Sequence, residues 1–234
     1  MKSQSRSLFA VCLLGALACA APMHLASATI TPLLSPADFL HPVTTIDFDS
    51  AADLDVANTL YSGEGIVFSR DDGYAIPIMD WSAMARTTTS APNVIATILG
   101  TFEEQYVPDW STHLNMVFAE PTYEFGAFFG NDQGVGYTQS TLYVFDVNDA
   151  LLGSVTIDVN GNTSVDQFIG VRSTVAFYRA RIENDGAYMA VVLDNVSFGG
   201  GGGDGGAIVP EPFTAALLGA GLLGMACRRR FMAP

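Results

Sequence analysis

Positive charge is what this 234-residue sequence has least of. It holds 10 lysines and arginines against 24 aspartates and glutamates, a formal net charge of −14. Lys2 and Arg6 stand at the start and Arg228, Arg229 and Arg230 at the end. Between them the only cations are Arg70, Arg86, Arg172, Arg179 and Arg181, and there is no lysine. All the acids lie between Asp38 and Glu211, so the middle carries about −19. Binding to nucleic-acid phosphates needs clustered Lys or Arg, so nucleic acid is excluded as a partner. Such a field suits solubility and attracts cations; its plainest reading is a solvated acidic surface.

Cysteine is nearly absent too. Cys12, Cys19 and Cys227 all fall in the two apolar ends, which leaves the middle without disulfide or thiol chemistry. A domain of this length can bury a sufficient core without covalent staples. Histidine is scarce: beyond residue 28 there are only His41 and His113, neither near a nucleophile motif such as G-x-S-x-G. No H-E-x-x-H or cysteine-based metal spacing occurs. Glu120 and Glu124 on one strand would stand roughly 13 Å apart, wider than the roughly 5–9.5 Å that glycosidase carboxylates need. Glu103 and Glu104 are adjacent and would point to opposite faces. The expectation is therefore a protein that is not an enzyme, with a secreted hydrolase as the trailing alternative.

The N-terminus has the three parts of a secretory signal. Two cations precede an apolar run (7–21) that is short for a membrane span, and Ala26-Ser27-Ala28 offers the small residues that signal peptidase accepts. Cleavage is expected after Ala28, with Ala18 or Ala20 as alternatives. Lipidation at Cys19 is a further alternative, but Ala16 stands where that signal normally places Leu.

At the other end, glycines 199–203 and 205–206 make a linker (199–208), since glycine at this density loses too much backbone entropy to hold a fold. Val209-Pro210-Glu211-Pro212 follows, then a 15-residue apolar run (213–227), then three arginines. At about 1.5 Å per residue the run spans roughly 22 Å, against about 30 Å of hydrocarbon. It is a marginal transmembrane helix unless flanking residues snorkel or the bilayer thins. The arginines should stay cytoplasmic and leave the acidic domain outside. The prolines keep Glu211 in extended chain, which a protease can bind. Gly219-Ala-Gly221-Leu-Leu-Gly224 matches a dinucleotide fingerprint only in letters, because no strand precedes it and the chain ends ten residues later. Ala216, Ala220 and Gly224 instead form a small-residue stripe, suited to packing on another membrane helix.

This order of features resembles the PEP-CTERM sorting segment (209–232), carried by Pro210, Glu211 and Pro212, the apolar helix, and Arg228, Arg229 and Arg230. The resemblance covers about the last tenth of the chain. It implies an exosortase as partner, besides signal peptidase. It also implies transient anchoring in the inner membrane, then the cell surface or extracellular matrix of a bacterium making exopolysaccharide. A plain tail anchor is the alternative.

Residues 29–198 read as the folded domain. Segments 44–49, 122–128, 140–147, 152–159, 165–171, 175–182 and 189–198 are rich in β-branched and aromatic residues, several alternating with period two, with turn signals such as Asn184-Asp-Gly186 between them. No segment supports a major helix. The predicted class is all-β, an antiparallel β-sandwich with an N-terminal signal helix and a C-terminal transmembrane helix. Ile46-Asp-Phe-Asp49 and Leu193-Asp-Asn-Val-Ser-Phe198 resemble the opening and closing strands of galactose-binding-like and concanavalin-like jelly rolls, in which first and last strands are neighbours.

Two candidate sites follow. Asp47 and Asp49 on one strand face, joined by Asp194 from a neighbouring last strand, would offer hard oxygen ligands for a structural Ca²⁺, with Asp53 and Asp55 nearby. Solvent-facing charge is the alternative, and Asp71-Asp72-Gly73 reads as a turn. Trp81 and Trp110, with Tyr74, Tyr106 and Tyr137, are candidate stacking surfaces for sugar rings, and core packing is the alternative for both tryptophans. The expected function is a non-catalytic surface or matrix protein, with exopolysaccharide as candidate ligand, or else a purely structural surface protein.

Overall fold

The computed structural model describes residues 28–84, 86–97, 113–130, 139–162, 164–185 and 190–200. Ten strands carry them: β1 (Ile30–Leu33), β2 (Val43–Ile46), β3 (Ile66–Ser69), β4 (Ile78–Asp80), β5 (Asn93–Ala96), β6 (His113–Gly130), β7 (Gln139–Phe145), β8 (Leu151–Asp158), β9 (Gln167–Asn184) and β10 (Val192–Gly199). The α-helical content among these residues is one turn, Ala57–Leu60. All strands belong to one sheet with antiparallel pairing, in the order β4-β5-β10-β6-β9-β7-β8, while β1 pairs β9, β2 pairs β10 and β3 pairs β6.

Two 18-residue strands organise this sheet. Strand β6 pairs along β9 with register shifts between Val117 and Thr122 and between Thr122 and Glu124. On its other edge it pairs first with β3, then with β10. Strand β9 likewise pairs β1 through Gly170–Ser173 positions and β7 through 179–184. The two strands thus serve both halves of the sheet, β3-β6-β9-β7-β8 and β5-β10-β6-β9-β1. Irregular register bends a strand and increases its twist, which lets both halves line one core. That core joins Leu114, Met116, Leu142, Val144, Ala180 and Ile182 from the first half to Phe125, Ile169, Val171, Leu193 and Val196 from the second.

The local cause is the two-residue period of strand side chains. Strand β7 reads exposed or half-buried at every odd position and buried at Ser140, Leu142 and Val144. Asp146 turns the chain into β8: its Oδ1 accepts from the N–H groups of Asn148 and Ala150, each at 2.8 Å. Asp149 takes positive φ (65°), which aspartate tolerates.

The expected strands are present, with different bounds. The pieces expected at 165–171 and 175–182 are one strand, β9, and β1, β3, β4 and β5 lie outside the expected segments. The opening and closing strands are neighbours: Ile46 faces Val196 and Thr44 faces Phe198. A buried carboxylate secures the connection between β1 and β2. Glu124 accepts from the N–H groups of Leu40 and His41, both at 3.1 Å, and from Arg172 Nε at 2.5 Å. Its neighbour His41 Nδ1 stands at 3.3 Å. Burial opposes ionisation of Glu124, but the Arg172 guanidinium and the Leu40 and His41 donors outweigh it, so its carboxyl lies below its ordinary range.

Candidate functional site

Residues directly opposite one another on neighbouring strands share a face. Across β3, β6, β9, β7 and β8, Ser69, Asn115, Arg181, Tyr143 and Ser154 form one such row. Val67, Val117, Arg179, Phe145 and Leu151 form the next. Their sequence neighbours Leu114, Met116, Leu142, Val144, Ala180 and Ile182 are fully buried in the core, so these rows make the outer face. His113 and Glu183 face each other at its end. Two of the five arginines between residues 7 and 227 are gathered here.

The side chains hold one another in place. Arg179 lies over the Phe145 ring, its guanidinium carbon 3.6 Å from the centroid. Its Nε and Nη2 donate to Asp149 Oδ1 at 2.7 and 2.6 Å, and its Nη1 donates to Asn115 Oδ1 at 3.1 Å. Asn115 Nδ2 donates in turn to Asp71 Oδ1 at 2.7 Å. Arg181 Nη2 lies 3.3 Å from Asp71 and 3.5 Å from Glu183. His113 Nε2 lies 2.9 Å from Glu183, and its Nδ1 is 3.7 Å from Asp71. Arg181 Nε is buried with no hydrogen-bond partner among the described residues.

Partly exposed ion pairs contribute little to stability, about 0–1 kcal/mol each, and a buried donor without an acceptor costs about 1–3 kcal/mol. This array is therefore poorly explained as a stabilising device. Chemically it presents planar surfaces (Tyr143, and the Arg179–Phe145 stack) beside interleaved hydrogen-bond donors and acceptors.

The residues singled out from sequence lie elsewhere. Trp81 is 1% exposed and packs with Met79, Val94, Val165 and Val192 in a second, smaller core. Arg86 stands 4.9 Å over its ring. Its burial gives it the packing role rather than a stacking face. Trp110, Tyr106 and Tyr137 lie outside the described residues, and so do residues 1–27 and the sorting residues Pro210, Glu211, Pro212, Arg228, Arg229 and Arg230. Among the described residues no helix is long and apolar enough to cross a membrane.

The three aspartates expected as calcium ligands are each hydrogen-bonded to Ser90 or Asn93. The strand ends at Ile46, so Asp47 and Asp49 sit in the turn beyond it, with Phe48 between them at φ 64°. Asp47 and Asp194 are linked through Ser90, whose Oγ donates to the Asp47 carbonyl at 3.2 Å and to Asp194 Oδ1 at 2.7 Å. Asp194 is fully buried. It also accepts from Ser90 N, Thr89 Oγ1 and Asn195 N at 2.7–2.8 Å. Burial dominates these four donors and holds its carboxyl above the ordinary range. Asp49 Oδ1 accepts from Asn93 N at 3.0 Å. Among the described residues no three His, Cys, Asp or Glu side chains converge as a metal site.

Sequence reading missed Tyr143, Phe145, Arg179 and Arg181 as site residues. The signal was present in the alternation of 140–147 and 175–182, where the same period that buries Leu142 and Ile182 turns these four outward.

No family model matches the chain, and no curated protein matches it in sequence. Among solved structures it is similar to the K2 cleaved adhesin domain of Lys-gingipain, with TM-score 0.45 and 9% identity over 67% of this chain and 99% of that one. It is similar also to an arabinose-bound α-L-arabinofuranosidase, with TM-score 0.43 and 12% identity over 71% of this chain and 26% of the enzyme. A third likeness is to the CBM22-1 and GH10 modules of Clostridium thermocellum endo-1,4-β-D-xylanase 10B complexed with xylohexaose. There the TM-score is 0.38 and the identity 13%, over 66% of this chain and 29% of that one.

Proposed function

We propose that the chain is an exported surface or matrix protein, sorted by an exosortase through its PEP-CTERM-like segment, whose non-catalytic β-sandwich binds glycan. The observation that carries the binding reading is the outer face of β6, β9 and β7. It sets two aromatic rings and two arginines among Asn115, His113, Asp71 and Glu183. A sugar offers a flat apolar ring face and a rim of hydroxyls that both donate and accept. Tyr143 and the Arg179–Phe145 stack supply the flat surface, and the surrounding groups supply matching partners.

The test is a glycan array probed with the exported protein, alongside Tyr143→Ala and Arg179→Ala. Binding at least tenfold weaker in both variants supports the assignment. Full retention in both moves any site elsewhere, and an array blank for the unaltered protein favours a purely structural surface role. The sorting reading is tested separately by replacing Pro210-Glu211-Pro212 with three alanines; surface delivery should fail while synthesis continues.

A further inference from the structure

The charge arrangement on this face points to the class of ligand. Its two guanidinium groups are each already set against carboxylate. Arg179 is held by Asp149 through two nitrogens. Arg181 lies between Asp71 and Glu183. Two arginines therefore meet three carboxylates, and a protonated His113 would bring the face only to balance. None of the positive charge described here is uncommitted, and the chain around it is strongly anionic at −14 overall.

An acidic polymer approaching this face would have to displace Asp149, Asp71 or Glu183 from their arginines and enter a repulsive field. A neutral polymer meets neither obstacle. The partly exposed guanidinium groups of Arg179 and Arg181 and the carboxylate oxygens of Asp149, Asp71 and Glu183 can meet hydroxyls without separating the ion pairs. We infer that this face takes a neutral, hydroxyl-rich polysaccharide and discriminates against uronate-bearing or otherwise anionic ones. The inference rests on the reading of this face as the binding surface.

The experiment uses the full-length protein, extracted from membranes in a non-ionic detergent. Retardation in gels is measured with a neutral β-1,4-linked glucan and with polygalacturonate, each from low to about 300 mM salt. The inference expects retardation by the neutral polymer, changing less than about twofold across that range because no net charge is exchanged. It expects no retardation by polygalacturonate. The variant Asp149→Asn/Glu183→Gln, which removes two of the three balancing charges, should gain polygalacturonate binding that falls at least tenfold with salt.

Tighter binding of polygalacturonate by the unaltered protein, weakened by salt and by Arg179→Ala, would overturn the neutral-ligand inference and leave glycan binding standing. Failure of the double variant to gain acidic binding would overturn charge balance as the cause of selectivity. Retardation by neither polymer would count against both the inference and the binding role of the face.

Discussion

Gly126 and Gly170 face each other across β6 and β9, and the Phe168 ring leans over both. A Cβ built on Gly126 would lie 2.3 Å from Phe168 Cζ and 3.1 Å from each neighbouring ring carbon. Separations below 3 Å cannot be kept, so in Gly126→Ala the ring must lift. Phe168 is held edge-to-face by Phe128 at 5.4 Å and by Phe39 at 6.1 Å. Lifting it therefore disturbs two further contacts, each worth about 0.5–1.5 kcal/mol. Overpacking of this kind costs about 1–3 kcal/mol. For a domain of this size that is a fall in Tm of roughly 2–12 °C, at about 2–4 °C per kcal/mol.

In a Phe168→Ala background the obstacle is gone. There Gly126→Ala should be neutral or stabilising by up to about 1 kcal/mol, since alanine loses less backbone entropy in a strand. The assay is urea denaturation of the four proteins of the cycle, with an expected coupling of at least about 1 kcal/mol. An equal cost of Gly126→Ala in both backgrounds would refute the reasoning, because the clash would then lie with something other than the ring.

Asp194→Asn keeps the shape of the side chain but must aim its NH₂ at a backbone N–H, either that of Ser90 or that of Asn195. A loss of about 2–4 kcal/mol by denaturation is expected from the lost charge-assisted bonds and the stranded donor. Because the Asp194 carboxylate already has four protein donors, Tm should be the same with and without a calcium chelator; a fall of several degrees would support a calcium ion at Asp47, Asp49 and Asp194. Glu124 has its folded-state carboxyl below the ordinary range, so its contribution is present above the unfolded value and is lost as pH falls through the folded one. Glu124→Gln should therefore be destabilising at pH 7, and the gap to the unaltered protein should narrow below about pH 4. Tyr61 has a buried hydroxyl with no partner among the described residues and is pushed up to about 12, by burial first and then by Asp47, Glu64, Asp55 and Asp49. Its stability contribution is lost as pH rises from 10 toward 12, so Tyr61→Phe should be no less stable at pH 7 and lose less between those values.

What was legible in the sequence was whatever repeats at short range. The alternation from Ser140 to Val147 gave the strand that buries Leu142 and Val144, and the turn signal Asn184-Asp-Gly186 falls where β9 ends, two residues beyond the expected bound at 182. The union of two expected strands into β9 was not legible, because a register shift depends on the partner strand rather than on local hydropathy. The fate of Asp194 was hidden for a similar reason: its partners Thr89 and Ser90 are more than a hundred positions away. Trp81 drew attention by size, yet only its contacts reveal that it packs inward. The face of β6, β9 and β7 was written in the odd positions of segments whose even positions, Leu142, Val144, Ala180 and Ile182, face the core.

If the chain is exported as proposed, the seating of β10 has a consequence for the order of events. The last strand lies between β6 on one side and β2 and β5 on the other, so Ile46 waits for Val196, 150 positions later. Contacts that distant form late, after most of the chain is present. A polypeptide threading a narrow channel from its N-terminus would therefore stay loose until nearly the whole domain has passed. Closure of the sheet would then be an event of the far side of the membrane, with little for the channel to unravel.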